Sequence, residues 1–243
     1  HEMYWEETGC RDGVPLVFLH GGPGAGTMPV HRRFFDPEFF RVILYDQRGA
    51  GRSTPQASID ANTTADLIGD LEVLRTHLSV SQWHLFGGSW GSTLALAYAQ
   101  PYPDHCLGLI LRGIFTCSAR EVDWFLYGMR RVFPDAWDDF VEAIPLAERG
   151  DLLTAYRTRL NDPDPKVYAP AARSWATYEA RCSTLRPNPN VVRAISDSPS
   201  TVALARIEAH YLANGAFLAP DQLIDDIVKI RHLSGAIVHG RYD

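Results

Sequence analysis

Lysine is nearly absent: Lys166 and Lys229 are the only two among 23 basic residues, and no function follows from that bias. Cysteine is scarce as well. Cys10, Cys106, Cys117 and Cys182 form no C-x-x-C pair, and their wide scatter excludes a disulfide framework and a cysteine-based zinc site. Isolated thiols of this kind read as free, buried side chains in a reducing compartment, so the expected location is cytoplasmic. No apolar run is long enough to span a bilayer, and no secretory leader pattern opens the sequence. Neither sign of charge forms a long run, and the formal net charge is −6. That balance argues against nucleic acid and anionic membrane as partners. Internal repeats and low-complexity tracts are also missing.

What remains is a globular composition. The chain has 243 residues, 46% of them hydrophobic, enough for a sizeable core in one domain or a domain plus an insertion. The first half alternates two patterns. Leu16-Val17-Phe18-Leu19 and Val42-Ile43-Leu44-Tyr45 are short, wholly apolar runs, as expected of strands buried on both faces. Thr64 is the expected cap of a helix from Ala65 to Leu78, with Leu67, Leu71, Leu74 and Leu78 on one apolar stripe. Trp83-His84-Leu85-Phe86 and Leu107-Gly108-Leu109-Ile110-Leu111 are two further strands. Strands separated by helices predict a doubly wound, mostly parallel α/β sheet. From Phe115 to Ala219 the pattern turns to helix formers, aromatics and proline punctuation, with no buried strand; Gly235-Ala236-Ile237-Val238-His239 then returns to the buried-strand pattern. The expected organisation is a core over 1–114, a helical cap over 115–219 closing on the strands' carboxyl edge, and a continued but truncated core over 220–243.

Gly87-Gly88-Ser89-Trp90-Gly91 carries the chemistry. It joins the Trp83–Phe86 strand to a helix running from Ser92 to Gln100 and stopped by Pro101. A serine between glycines at such a turn is the nucleophile elbow of the α/β-hydrolases. Strand and helix nearly touch there, so Gly87 and Gly91 must lack a Cβ. Ser89 is then pushed out above the sheet, and the Trp90 N–H, at a helix start, is placed to hold an oxyanion. His20-Gly21-Gly22-Pro23-Gly24 follows the first core strand and supplies a second oxyanion donor, the N–H of Gly22. Asp46 and Arg48, in Asp46-Gln47-Arg48-Gly49-Ala50-Gly51-Arg52-Ser53, read as braces of a glycine-rich loop rather than as catalysts.

These three motifs together resemble the proline iminopeptidases, α/β-hydrolases that remove an N-terminal proline from peptides. The resemblance continues through Arg112-Gly113-Ile114-Phe115, Ala205-Arg206-Ile207-Glu208-Ala209-His210-Tyr211 and Gly240-Arg241-Tyr242-Asp243, covering nearly the whole chain. It implies a serine peptidase acting through an acyl-enzyme, with a peptide bearing N-terminal proline as substrate and no metal or organic cofactor. Glu179 and Glu208 correspond to the glutamates that bind the prolyl amine. Both fall on the apolar stripes of their predicted helices, where a carboxylate needs a cationic or hydrogen-bonding partner. Phe115 and the Trp124-Phe125 pair resemble the aromatic wall of a proline pocket. Tyr178 stands where the family often has tryptophan.

Asp243 occupies the position of the family's catalytic aspartate, and the family's histidine lies further on. None of the nine histidines holds that position, although His210, two residues after Glu208, is a candidate for the site wall. The resemblance therefore implies a fragment of a longer protein, whose sheet lacks a last strand and covering helix. Two rival readings stay open: another small-substrate hydrolase, esterase or amidase, and a non-catalytic hydrolase-like binding protein. A neutral ester would offer the paired glutamates no cation to bind.

Overall fold

A computed structural model describes residues 1–241. Asp243, the expected acid, lies outside the described residues. Six strands form one sheet: β1 (Trp5–Gly9), β2 (Val14–Leu19), β3 (Phe40–Tyr45), β4 (Trp83–Ser89), β5 (Cys106–Ile114) and β6 (Gly235–Val238). Their spatial order is β1-β3-β2-β4-β5-β6, with every pairing parallel except the antiparallel edge strand β1. The five expected strands are all present. The sixth, β1, alternates exposed and half-buried residues over Trp-Glu-Glu-Thr-Gly and has no continuous apolar run to announce it. Its antiparallel pairing sets Glu7 opposite Ile43 and Thr8 opposite Val42.

The wholly apolar runs are buried on both faces. Val17, Leu19, Ile43 and Tyr45 join the main core beneath the helices, and Leu16, Phe18, Val42 and Leu44 form a smaller cluster on the opposite face. The strand period of two divides a continuous run between two faces. Strand β6, expected to be buried, is instead exposed along its length, with Ile237 and Val238 open to solvent, because it forms the edge of the described sheet.

Helix α1 (Thr64–His77) follows β3, and α2 (Trp90–Ala99) follows β4. The cap of α1 is one residue earlier than expected. Thr63 is the cap: its hydroxyl accepts the Asp66 N–H, and the Asp66 carboxylate accepts the Thr63 N–H in return. Thr64 is drawn away because its hydroxyl donates to the Ala216 carbonyl, a long-range partner that local sequence does not display. Among the described residues, the chain between Ile114 and Gly235 holds helices and loops only: α3 (Ala119–Asp123), α4 (Pro134–Glu142), α5 (Leu152–Leu160), α6 (Pro165–Cys182), α7 (Pro189–Ser196), α8 (Thr201–Ala213) and α9 (Gln222–Asp225), with shorter turns between them. Among the described residues, no helix is long and apolar enough to cross a membrane.

Candidate active site

Ser89 ends β4 in a conformation that side chains rarely adopt, with φ of 53° and ψ of −126°. Backbone strain of this kind persists only where its surroundings hold it. Here the sharp turn holds it. A Cβ on Gly87 would come within 2.1 Å of the Gly91 carbonyl oxygen, and one on Gly91 within 2.0 Å of the Leu19 carbonyl oxygen. Both glycines are sterically required, as the motif predicts. Ser89 is exposed, while Trp90 behind it is fully buried. The Ser89 carbonyl accepts a 2.6 Å hydrogen bond from Ser92 Oγ, which also accepts the Phe115 N–H at 3.0 Å. Thr93 Oγ1 donates to the Phe115 carbonyl at 2.6 Å. Phe115 is thus clamped beside the elbow.

The His20–Gly24 loop lies against the same turn. The backbone positions of Gly21 and Ser89 are adjacent, since a Cβ on Gly21 would sit 3.5 Å from that of Ser89. His20 is buried, and burial pushes its ring below its ordinary pKa. Its Nε2 accepts the Gln47 N–H at 3.0 Å, so the ring proton resides on Nδ1, which donates to the Gly21 carbonyl at 2.9 Å. A neutral histidine engaged at both nitrogens is a structural element and has no lone pair for a serine. His84 lies in β4. His239 follows β6 and accepts the Ile114 N–H on Nδ1. His210 is turned to the Asn62 carbonyl at 3.0 Å, away from the expected site wall.

Asp46 and Arg48 brace the loop as expected, but not through each other. Asp46 accepts from Thr27 N and Oγ1, and from Arg52 N and Nε. Arg48 instead makes a two-pronged pair with Asp70.

Helix α8 ties the helical segment to both loops. Leu204, Glu208 and Tyr211 are spaced i, i+4 and i+7, so they share one face. Leu204 packs against Gly22, the Tyr211 ring meets the Trp90 ring at 4.6 Å, and Glu208 lies between them. The Glu208 side chain is 7% exposed, and its Oε2 accepts the Trp175 indole N–H at 2.6 Å. Trp175 is held in turn by the rings of Phe125, Phe140 and Tyr156. Glu179 is one turn along α6 from Trp175. Its Oε2 is buried without a hydrogen-bond partner. Burial raises the Glu179 carboxyl; burial and then the Glu179 charge raise Glu208 well above the ordinary range. Burial, with Glu121 and Glu208 nearby, also pushes the Cys117 thiol up to about 12. No arginine or lysine pairs with either glutamate among the described residues.

The predicted aromatic wall divides. Phe125 is half-buried against Trp175 and Tyr178, and its carbonyl accepts the Tyr178 hydroxyl at 2.5 Å. The tyrosine that departs from the family pattern therefore anchors the Phe125 segment. Trp124 is 44% exposed, with its ring over Gly128, apart from the carboxylates. Local sequence does not reveal Gln47, whose amide reaches both the His20 carbonyl and the Trp90 indole. Two cavities lie elsewhere. One of about 560 Å³ is lined by Ser58, Asn161, Tyr168 and Arg206 among others, and one of about 470 Å³ by Tyr127, Leu212 and Leu223 among others; neither includes Ser89, Glu179 or Glu208. Among the described residues, no group of three or more His, Cys, Asp or Glu could hold a metal ion.

The strained Ser89 turn and the two carboxyls of α6 and α8 sit in a chain that known proteins resemble. A family model for the α/β hydrolase fold matches residues 14–212. A proline iminopeptidase of Arabidopsis thaliana is 52% identical over the whole of this chain, which spans 65% of that protein. A proline iminopeptidase of Xylella fastidiosa is 47% identical, again over the whole chain, which spans 78% of it. A solved structure of an epoxide hydrolase from hot-environment metagenomes shares the fold at a TM-score of 0.57 and 17% identity, covering 98% of this chain and 87% of its own. The chain therefore belongs to the α/β-hydrolase fold family and, within it, to the proline iminopeptidases.

Proposed function

We propose that this chain carries the active site of a serine aminopeptidase that releases N-terminal proline from peptides. One observation carries the reading. Two buried carboxyls, Glu208 on the helix packed against the Trp90 turn and Glu179 on the neighbouring helix, lie without a cationic partner among the described residues. Buried carboxylates left unpaired are costly, and a prolyl ammonium would compensate both at once. The relatives bearing the name proline iminopeptidase support the same substrate.

The chemistry follows from the elbow. Ser89 Oγ bonds to the prolyl carbonyl carbon, and the carbonyl π pair moves to oxygen. The Gly22 and Trp90 N–H groups receive that oxyanion. The Oγ proton passes to a histidine oriented by Asp243, which the family carries downstream of that aspartate. When the carbonyl re-forms, the C–N bond breaks and the same proton leaves on the departing amine. Water then adds to the prolyl ester and frees Ser89 and proline. Glu179 and Glu208 hold the ammonium, Phe115 and Phe125 face the ring, and the helical segment acts as a cap that excludes longer N-terminal extensions.

The test compares free and N-acetylated prolyl arylamides in the full-length protein, with Ser89→Ala as control. The free amine should be cleaved at least about 100-fold faster, since a buried charge-assisted hydrogen bond is worth about 1.5–3 kcal/mol and two are lost on acetylation. Equal rates would remove the carboxyls from amine recognition. Turnover surviving in Ser89→Ala would remove Ser89 from the chemistry.

A further inference from the structure

Gln47 is a buried amide at an unusual crossing. It lies two residues beyond β3, while His20 follows β2 and Trp90 follows β4. In the sheet β2 lies between β3 and β4, so a side chain from Gln47 spans the carboxyl ends of three neighbouring strands. Its residue is 2% exposed. Nε2 donates to the His20 carbonyl at 3.0 Å, and Oε1 accepts the Trp90 indole N–H at 2.9 Å. Its backbone N–H donates to His20 Nε2 at 3.0 Å. The indole can only donate and the carbonyl can only accept, so the amide has one permitted orientation.

The two groups it joins belong to the two halves of the oxyanion site. The His20 carbonyl opens the peptide run that carries the Gly22 N–H. The Trp90 side chain belongs to the residue whose own N–H is the second donor. A tetrahedral oxyanion is stabilised only if both donors converge on one point about 3 Å away, and a misplacement of about 1 Å can cost on the order of 100-fold in rate. The loop is rich in glycine, which leaves its backbone few local constraints. We propose that Gln47 is a positioning residue for the oxyanion hole: by tying the His20 carbonyl to the Trp90 indole, it fixes the separation of the Gly22 and Trp90 N–H groups. This rests on the reading of Ser89 as nucleophile.

The test uses the full-length protein and three variants. Gln47→Met keeps volume and loses both hydrogen bonds; Trp90→Phe removes the indole donor alone; the third combines them. Each is assayed for kcat and KM on a prolyl arylamide. Affinity is measured for prolyl boronic acid, whose tetrahedral adduct with Ser89 places an oxygen in the hole, and for proline, which forms no adduct. In Gln47→Met, kcat and boronate affinity should fall together by about 10- to 100-fold, with KM and proline affinity within about twofold. The double variant should be little worse than Gln47→Met, because both substitutions break one bridge. Unchanged kcat in either folded single variant overturns the proposal. So does an equal loss of proline and boronate affinity, which marks a merely structural role. If Gln47→Met does not fold, Trp90→Phe decides by the same selective loss. Turnover persisting in Ser89→Ala would instead strike the underlying reading and leave the Gln47 geometry uncontradicted.

Discussion

In the sheet half of the molecule, Asp46, Asp70 and Glu72 each meet an arginine: Arg52, Arg48 and Arg75. In the helical half, Glu179 and Glu208 meet an indole and each other's field. The chain is rich in arginine, so the difference is one of placement and not of supply. Burial pushes Asp46 up, but hydrogen bonds from Arg52 and Thr27 outweigh it and hold the carboxyl below its ordinary value. The Arg75 guanidinium, against burial and with help from Tyr98 and His105, holds Glu72 at about 2. Glu179 and Glu208 are raised instead. Carboxylates satisfied internally brace a fold; under the proposed function, Glu179 and Glu208 receive their cation from the substrate.

The comparison can be broken most directly at Asp46. Asp46→Ala leaves the Thr27 and Arg52 N–H groups without their acceptor in a fully buried position. The loss should be about 3 kcal/mol of unfolding free energy, read by urea titration. A loss below about 1 kcal/mol would show that the loop does not depend on this carboxylate.

The second effect is smaller and has the opposite sign. Glu179 and Glu208 bind their protons at higher pH in the folded state than in the unfolded chain, whose carboxyls titrate near 4.5. The folded state then holds more protons, and their contribution to stability falls as pH rises from 4.5 through the raised values. The Asp46 contribution runs the other way: it is present above 3.8 and lost as pH falls through the lowered value. Glu208→Gln should therefore raise stability at about pH 8 by about 1 kcal/mol and flatten the decline between about pH 5 and about pH 8. A Tm that drops at about pH 8 in this variant would place Glu208 among the braces.

A third effect, of similar size, is local. Thr63→Ala removes the reciprocal cap of α1 and should cost about 1 kcal/mol, whereas Thr64→Ala loses a tie to Ala216 and leaves the cap intact. Helicity lost by far-ultraviolet circular dichroism only in Thr63→Ala would sharpen the distinction between a local and a long-range threonine.

Much of this was legible along the chain. The buried strands announced themselves as short apolar runs because both faces of a parallel sheet are covered. The elbow was legible because its turn excludes Cβ atoms, which leaves glycine as its mark. Glu179 and Glu208 stood out because carboxylates on apolar stripes are anomalous. Strand β1 was not legible, since an edge strand with one solvated face has no apolar run. The Thr63 cap was misplaced by one residue because two adjacent threonines look alike until Ala216 engages one of them. Trp124 and Phe125 are neighbours in sequence yet have different surroundings, because successive helical positions point about 100° apart.

By itself, the sequence determined the parallel strands of the sheet, the serine on its strained turn and the presence of two unusual glutamates. Each is a property of a few consecutive residues and of the space they leave. Only the tertiary structure decided that, among the described residues, no arginine reaches Glu179 or Glu208, that the Glu208 face of α8 packs on the Gly22 loop and the Trp90 turn, and that Gln47 bridges His20 and Trp90. Those facts join residues dozens of positions apart. Local propensity does not encode them, because they depend on which surfaces the whole chain buries against one another.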